Sequence, residues 1–331
     1  FDKVRTAAST MWNKDLSKVQ VEGGTKDEKT IFYTGMYHLL IHPNILQDVN
    51  GEYPMMESLK VGHTTGNRYT VFSLWDTYRN VSTLMTLLYP ERQLDIIRTM
   101  LDMYRENGWL PKWELYGRET FTMEGDPSIP YIVDAWMRGL RDFDEQTAYE
   151  AMRKGATTPG EFNLLRPDAN DYFSKGYVPL REQYDNSVSH ALEYYIADWN
   201  LANFAQALGK KEDAKLFRDR SLGYKHYYSK EFGTLRPILP DGTFYSPYLF
   251  SYFKGEAWRT QKLVRQLLKD CYHNAPNGVP GNEDTGTMSA WAIFSMMGFY
   301  PACPGDVNYV LTSPTFDKVT IQLDKQFYPQ G

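Results

Sequence analysis

Only two of the 331 residues are cysteine, Cys271 and Cys303. They can pair once or stay free, but two are too few for a disulfide framework, and their separation fits no metal-ligand spacing. Long apolar runs are also lacking. The longest, such as 81–89 and 290–299, fall far short of the roughly 20 residues that a helix needs to cross a bilayer. No block of one charge stands out either: 36 basic and 41 acidic residues are interspersed, for a net charge of -5. The chain therefore offers no row of cations to neutralise phosphates, and nucleic acid is not an expected partner. There is no internal repeat, low-complexity run or Gly/Ser linker to divide the chain. It starts at Phe1 without an initiator Met or the basic-then-apolar pattern of a signal peptide, so the expected N-terminus is removed or lies upstream.

What is present in quantity is aromatic. Tyr, Phe and Trp number 25, 17 and 8, together 15% of the chain, within an apolar content of 42%. That content suffices for a large core. Tyr and Trp also have a second use, stacking on the C–H face of a sugar while their polar tips find hydrogen bonds.

Apolar residues recur mainly at helical spacing. Val81, Leu84, Met85 and Leu88 fall at i, i+3, i+4 and i+7, as do Leu192, Tyr195, Ile196 and Trp199, which predicts two amphipathic helices. A third carries Leu94, Ile97, Leu101 and Tyr104 and ends at Gly108, where a left-handed cap fits. A fourth carries Ile129, Ile132, Val133, Trp136 and Leu140. Six more helical patterns run through 2–15, 28–41, 144–154, 211–229, 256–271 and 287–298. Strand signals are few, at 177–180, 243–245 and 319–323, beside turns such as Pro240-Asp241-Gly242. The expected fold is all-α, a two-layered (α/α)6 ring over 1–313 followed by a short β segment, 314–331. One-sided helices in this number cannot all hide in a four-helix bundle. The ten patterns are two fewer than a six-fold double ring holds.

Four polar, aromatic loops lie between these helices, and polar loop residues need a reason more than core residues do. The first, 67–79, offers Trp75 beneath a sugar with Asp76 and Arg79 on its hydroxyls; the plainer alternative is capping by Ser73 or Asp76 and an ion pair for Arg79. The second, 108–120, brings Trp113 and Glu114 as sugar contacts or as a buried loop anchor. In the third, 187–194, Glu193 is a further sugar contact or a solvated helix residue, and His190 is a hydrogen-bonded structural residue. The fourth, 279–291, packs Asn282, Glu283 and Asp284 between Gly281 and Gly286, just ahead of a helix. Hard oxygens on a glycine-flexed loop suit calcium, with Asp284 and Glu283 as ligands, and a carboxylate there can also activate water. A helix N-cap by Asp284 or Thr287, worth about 1 kcal/mol, would explain only one of the two acids.

From Gly281-Asn282-Glu283-Asp284 through Met288-Ser289-Ala290-Trp291 to Gly298-Phe299-Tyr300-Pro301 and Cys303-Pro304-Gly305, the chain resembles the C-terminal signature of glycoside hydrolase family 92. The resemblance extends back in order through Trp258-Arg259-Thr260-Gln261, Leu192-Glu193-Tyr194, Leu110-Pro111-Lys112-Trp113, 73–79 and Phe32-Tyr33-Thr34. It implies the (α/α)6 barrel of a secreted or periplasmic, calcium-dependent α-mannosidase, whose β-sandwich domain is not in this chain. The implied reaction is release of terminal α-mannose from glycans such as N-glycans, with inversion. By position Asp284 matches the family's general base, Glu283 supports it, and Asn282 stands where the family can carry a second aspartate.

One departure is large. After Asp241-Gly242-Thr243-Phe244-Tyr245-Ser246-Pro247 the family continues through segments that are absent here, where Tyr248 leads straight to Leu249. The resemblance puts the general acid in the absent stretch. Consecutive residues would have Cα atoms about 3.8 Å apart, and the expectation is that Tyr248 and Leu249 do not. Two other readings remain open. One is an α-glucoside-active enzyme of similar architecture; the other is a non-catalytic glycan-binding module.

Overall fold

A computed structural model describes residues 1–181, 186–230, 234–240, 257–301 and 304–329. Helices dominate it: α1 (Asp2–Leu16), α2 (Lys26–His38), α3 (Leu74–Thr77), α4 (Val81–Leu88), α5 (Pro90–Asn107), α6 (Ser128–Met137), α7 (Glu145–Thr157), α8 (Ala169–Lys175), α9 (Ser187–Ala207), α10 (Lys211–Ser221), α11 (Ala257–Cys271) and α12 (Thr287–Met297). Their ends follow local chemistry. Thr25 and Glu28 close a reciprocal capping box on α2, Asp144 accepts the Thr147 amide at the start of α7, and Pro90 opens α5, where its missing N–H has no partner to lose. Gly108 and Gly176 stop α5 and α8 in the left-handed conformation.

The expected helix over 211–229 breaks at Ser221, and a 3-10 turn, Leu222–Tyr227, follows. Helices α3 and α8 are too short to show periodicity. No strand forms at 177–180; there Pro179 lacks an N–H, while the Leu180 amide reaches the Ile238 carbonyl at 2.6 Å. The expected strand at 243–245, the Tyr248–Leu249 junction and Cys303 lie outside the described residues. The β signal near the C-terminus holds: Lys318–Ile321 pairs antiparallel with Val19–Glu22, and Phe316 meets Phe32 edge-on at 5.4 Å.

The helices pack in two layers. Helix α12 lies against α4, α4 against α6 and α6 against α9, forming an inner row. Helices α11, α2, α5, α7 and α10 lie outside it, on α12, α4, α6 and α9. The inner helices share one direction: Asn80, at the start of α4, bonds the Thr287 carbonyl at the start of α12, and Arg79 meets Glu193 near the start of α9. The outer helices run the opposite way, since the Tyr272 hydroxyl beyond α11 reaches the Met288 carbonyl and His38 at the end of α2 reaches Ser289. Four inner N-termini therefore converge on one end. The other end is crossed by the loop at 304–306, where the Gly305 amide bonds Asp134 at 2.7 Å and the Asp306 carbonyl accepts from Arg138.

The interior is aromatic and aliphatic, with Met100, Ile132, Trp136, Leu201 and Phe204 in its larger part. It also contains a buried ion network. Arg166 bridges Asp126 at 3.2 Å and Asp198 at 2.8 Å, and Arg220 meets Asp198 from the end of α10. Among the described residues α9 and α12 end the inner row, and the face of α9 expected to be its apolar side is its less buried one. Of the expected set Tyr195 is buried but Leu192, Ile196 and Trp199 are half-buried, while Ala191, Tyr194, Ala197 and Leu201 are covered. Small alanines let neighbouring helices approach closely, and that side prevails.

Candidate active site

The convergent end gathers polar side chains from four loops. Arg79, between α3 and α4, donates to Glu193 at 2.7 Å, and the Tyr78 hydroxyl donates to the other Glu193 oxygen at 2.7 Å. Burial raises the Glu193 carboxyl above its usual range; the Arg79 charge opposes this and Glu124 adds to it. Glu124 itself bonds the Ser189 hydroxyl. Between Glu124 and Asp126, Gly125 has φ +78°, and a Cβ there would stand 2.5 Å from the Glu193 Cβ. Only glycine lets this loop press so close to the acid.

The Arg79 guanidinium also lies over the Trp75 ring, 4.8 Å from its centroid. The Trp75 Nε1 is buried and finds no acceptor among the described residues. Asp76, one residue on, bonds Ser73, and its carboxyl is raised by burial, with the charge of Asp284 adding to the rise. The structure thus brings Trp75, Asp76, Arg79, Glu193 and Asp284 to one end.

The two acids of the loop before α12 differ. Asp284 is exposed, and its carboxylate makes no hydrogen bond among the described residues. Glu283 has both oxygens engaged, one by the Ser289 amide at 2.9 Å and the other by His38 Nδ1 at 3.2 Å. Asn282 is exposed beside them.

Comparison with known proteins identifies the chain. The sequence profile of the glycosyl hydrolase family 92 catalytic domain matches residues 1–248 and 243–328. The chain belongs to glycosyl hydrolase family 92. A family GH92 alpha-mannosidase of Bacteroides thetaiotaomicron, solved in complex with mannoimidazole, superposes with a TM-score of 0.90 at 26% identity, over 98% of this chain and 53% of that one. A family GH92 inverting mannosidase of the same species gives 0.88 at 26%, over 97% and 56%. An uncharacterized secreted glycosidase of Arthroderma benhamiae is 23% identical over 419 residues, 97% of this chain and 50% of its own length. The chain thus spans about half the length of these relatives.

In this family member Glu114 is an internal brace. It is fully buried, and its oxygens accept from Thr70, Val71 and Gly117. Trp113, expected beside it as a sugar contact, is half-buried, with its amide held by Glu119 at 2.9 Å. Neither contacts the cluster around Glu193 in any bond of the described residues. Sequence reasoning missed Tyr78, Glu124 and His38. The run Glu124-Gly125-Asp126, two acids about a glycine ahead of an apolar helix, was a readable signal for Glu124; His38, ending a helix, gave none. His190 does bond Asp168, at 2.7 Å. A groove of about 860 Å³ between α1 and α2 lies elsewhere and is lined by Trp12, Tyr33, Tyr37 and lysines, with no acid for the chemistry.

The implied calcium can be tested against these donors. Asp76 and Asp284 are near enough for the charge of one to raise the other's carboxyl, and the Asn282 side chain is exposed on the same loop. Like charges left facing each other are what a cation relieves, and calcium takes carboxylate, amide and water oxygens together. Glu283, expected as a ligand, already accepts at both oxygens, from the Ser289 amide and from His38. Among the described residues no three or more His, Cys, Asp or Glu form a ready cluster, so the fit rests on Asp76, Asp284 and Asn282 with oxygens from water or sugar.

Proposed function

We propose that this chain is the (α/α)6 part of an inverting exo-α-mannosidase that removes terminal α-linked mannose from glycans, N-glycans among them, outside the cytoplasm. One observation carries the assignment of Asp284 as general base: of the two acids on its loop it alone is exposed and, among the described residues, its carboxylate accepts no hydrogen bond, at the end where the inner helices start. The solved family relatives, an alpha-mannosidase and an inverting mannosidase, support the reaction. The secreted Arthroderma relative supports the location.

In this reading Trp75 stacks under the sugar while Asp76, Arg79 and Glu193 hold hydroxyls. Asp284 takes a proton from a water that attacks the anomeric carbon opposite the leaving oxygen, so β-mannose is the first product. Asp76, Asp284 and Asn282 would hold calcium, which when bound grips vicinal hydroxyls and favours a flattened ring. The general acid belongs to a segment missing between Tyr248 and Leu249. Three observations support that gap: the family profile matches in two pieces that overlap over 243–248, the alignment of 419 residues exceeds the whole chain of 331, and among the described residues the inner row ends at α9 and α12 on either side of it.

The test is mannose release from an aryl α-mannoside by the intact protein, with the first anomer read by NMR, in calcium and in excess chelator. Release of β-mannose that chelator stops and calcium restores is expected. Release of glucose from the α-glucoside instead, or sugar binding with no turnover, refutes the proposal.

A further inference from the structure

Asp284 opens a stretch of left-handed backbone. It, Thr285 and Gly286 have φ of +52°, +54° and +93° in succession, and only the last is glycine. Aspartate accepts such an angle, but a β-branched threonine keeps it only where its surroundings hold it. The Thr287 and Met288 amides close the loop onto α12 through the Asp284 and Glu283 carbonyls, and a further support lies behind it, in α2. The imidazole of His38 joins two points of the loop and helix: Nδ1 is 3.2 Å from the Glu283 carboxylate and 3.1 Å from the Ser289 hydroxyl. A carboxylate only accepts, so the ring hydrogen on Nδ1 donates to it. The contact is close on the backbone side too, since a Cβ on Gly286 would stand 3.4 Å from the Leu39 Cα.

We infer that His38 is a positioning residue: acting through Glu283 and Ser289, it fixes the loop 282–286 so that the Asp284 carboxylate is presented at the convergent end. The inference rests on the reading of Asp284 as base and adds the residue that holds it in place. Behind His38 a cavity of about 220 Å³ is lined by Thr34, Tyr272, His273, Asn274 and Ser289. A changed side chain at 38 meets space there rather than packed core, so variants are expected to fold.

The experiment uses His38→Ala, His38→Asn, His38→Gln and the double variant His38→Ala/Glu283→Ala in the intact protein. For His38→Ala, kcat falls about 10- to 100-fold, as for a base displaced by around an ångström, while KM stays within about threefold. His38→Asn, whose amide N–H can stand near the Nδ1 position, recovers most of the loss. His38→Gln, one methylene longer, does not. The double variant is no slower than the worse single, because both changes cut the same tether. Amide hydrogen exchange across 281–289 rises in His38→Ala and not elsewhere. A kcat within twofold of the parent, or equal recovery by Gln and Asn, overturns the inference. Should the parent protein turn over no mannoside, the base assignment fails by itself, and unchanged exchange across 281–289 would then overturn the tether independently.

Discussion

At the scale of the residue, environment separates carboxylates that look alike in sequence. Asp284→Asn keeps a side chain that tolerates left-handed backbone and removes the charge of the proposed base; the expected result is a kcat lower by about 10²- to 10⁴-fold, with the thermal midpoint nearly unmoved. Steady-state kinetics and a melting curve check it. Glu193 makes an opposite kind of prediction. Its folded carboxyl is raised by burial, so the folded state holds the proton more tightly than the unfolded chain does. Its contribution to stability is therefore present below the unfolded pKa, about 4.3, and is lost as pH rises through the raised folded value. Glu193→Gln, which mimics the protonated form, should melt higher than the parent at pH 7, with the gain fading below about pH 4. Turnover should fall about 10- to 100-fold with the lost charged hydrogen bond. An unchanged pH 7 midpoint would remove the claim that this acid is held against its preference. Sequence could nominate Glu193 and Asp284 because they lie in motifs. It could not exclude Glu114, since whether a loop acid turns outward depends on amides such as Gly117 and Val71, which fold back onto it.

At the scale of the element, the long amphipathic helices were legible, and their breaks were less so. Periodicity could locate α4, α5 and α6, because one face meets the core and the other meets water or a polar neighbour. It misread α9, whose alanines and buried Asp198 take the closer contacts and leave Leu192 and Trp199 half-covered. The polar side of α9 is usable because Arg166 and Arg220 neutralise Asp198; burial alone would raise that acid, and the two guanidiniums hold it low instead. Arg166→Met would leave Asp126 and Asp198 buried without their shared cation, and denaturant titration should register a loss of about 3–5 kcal/mol. A loss under about 1 kcal/mol would mean the network behaves like a surface ion pair. None of this linkage was readable beforehand, since its members come from a loop before α6, a loop before α8, and the helices α9 and α10.

At the scale of the whole molecule, the family and the largely helical fold were legible from a few ordered motifs, while the closure of the ring was not. A helix pair absent from a closed ring would bare a strip of apolar surface. Peptide mapping of the native protein is expected to yield no peptide in which Tyr248 and Leu249 are directly joined, and finding one would overturn the missing segment. The direction of the inner helices has its own electrical consequence. Each N-terminus carries roughly half a positive charge from its aligned peptide dipoles. Near those four ends stand Asp76, Glu124, Glu193 and Asp284. The backbone itself thus supplies part of the counter-charge that lets so many acids share one end. Run the same hairpins the other way, and those acids would face the negative termini instead, which would add to their mutual repulsion rather than offset it.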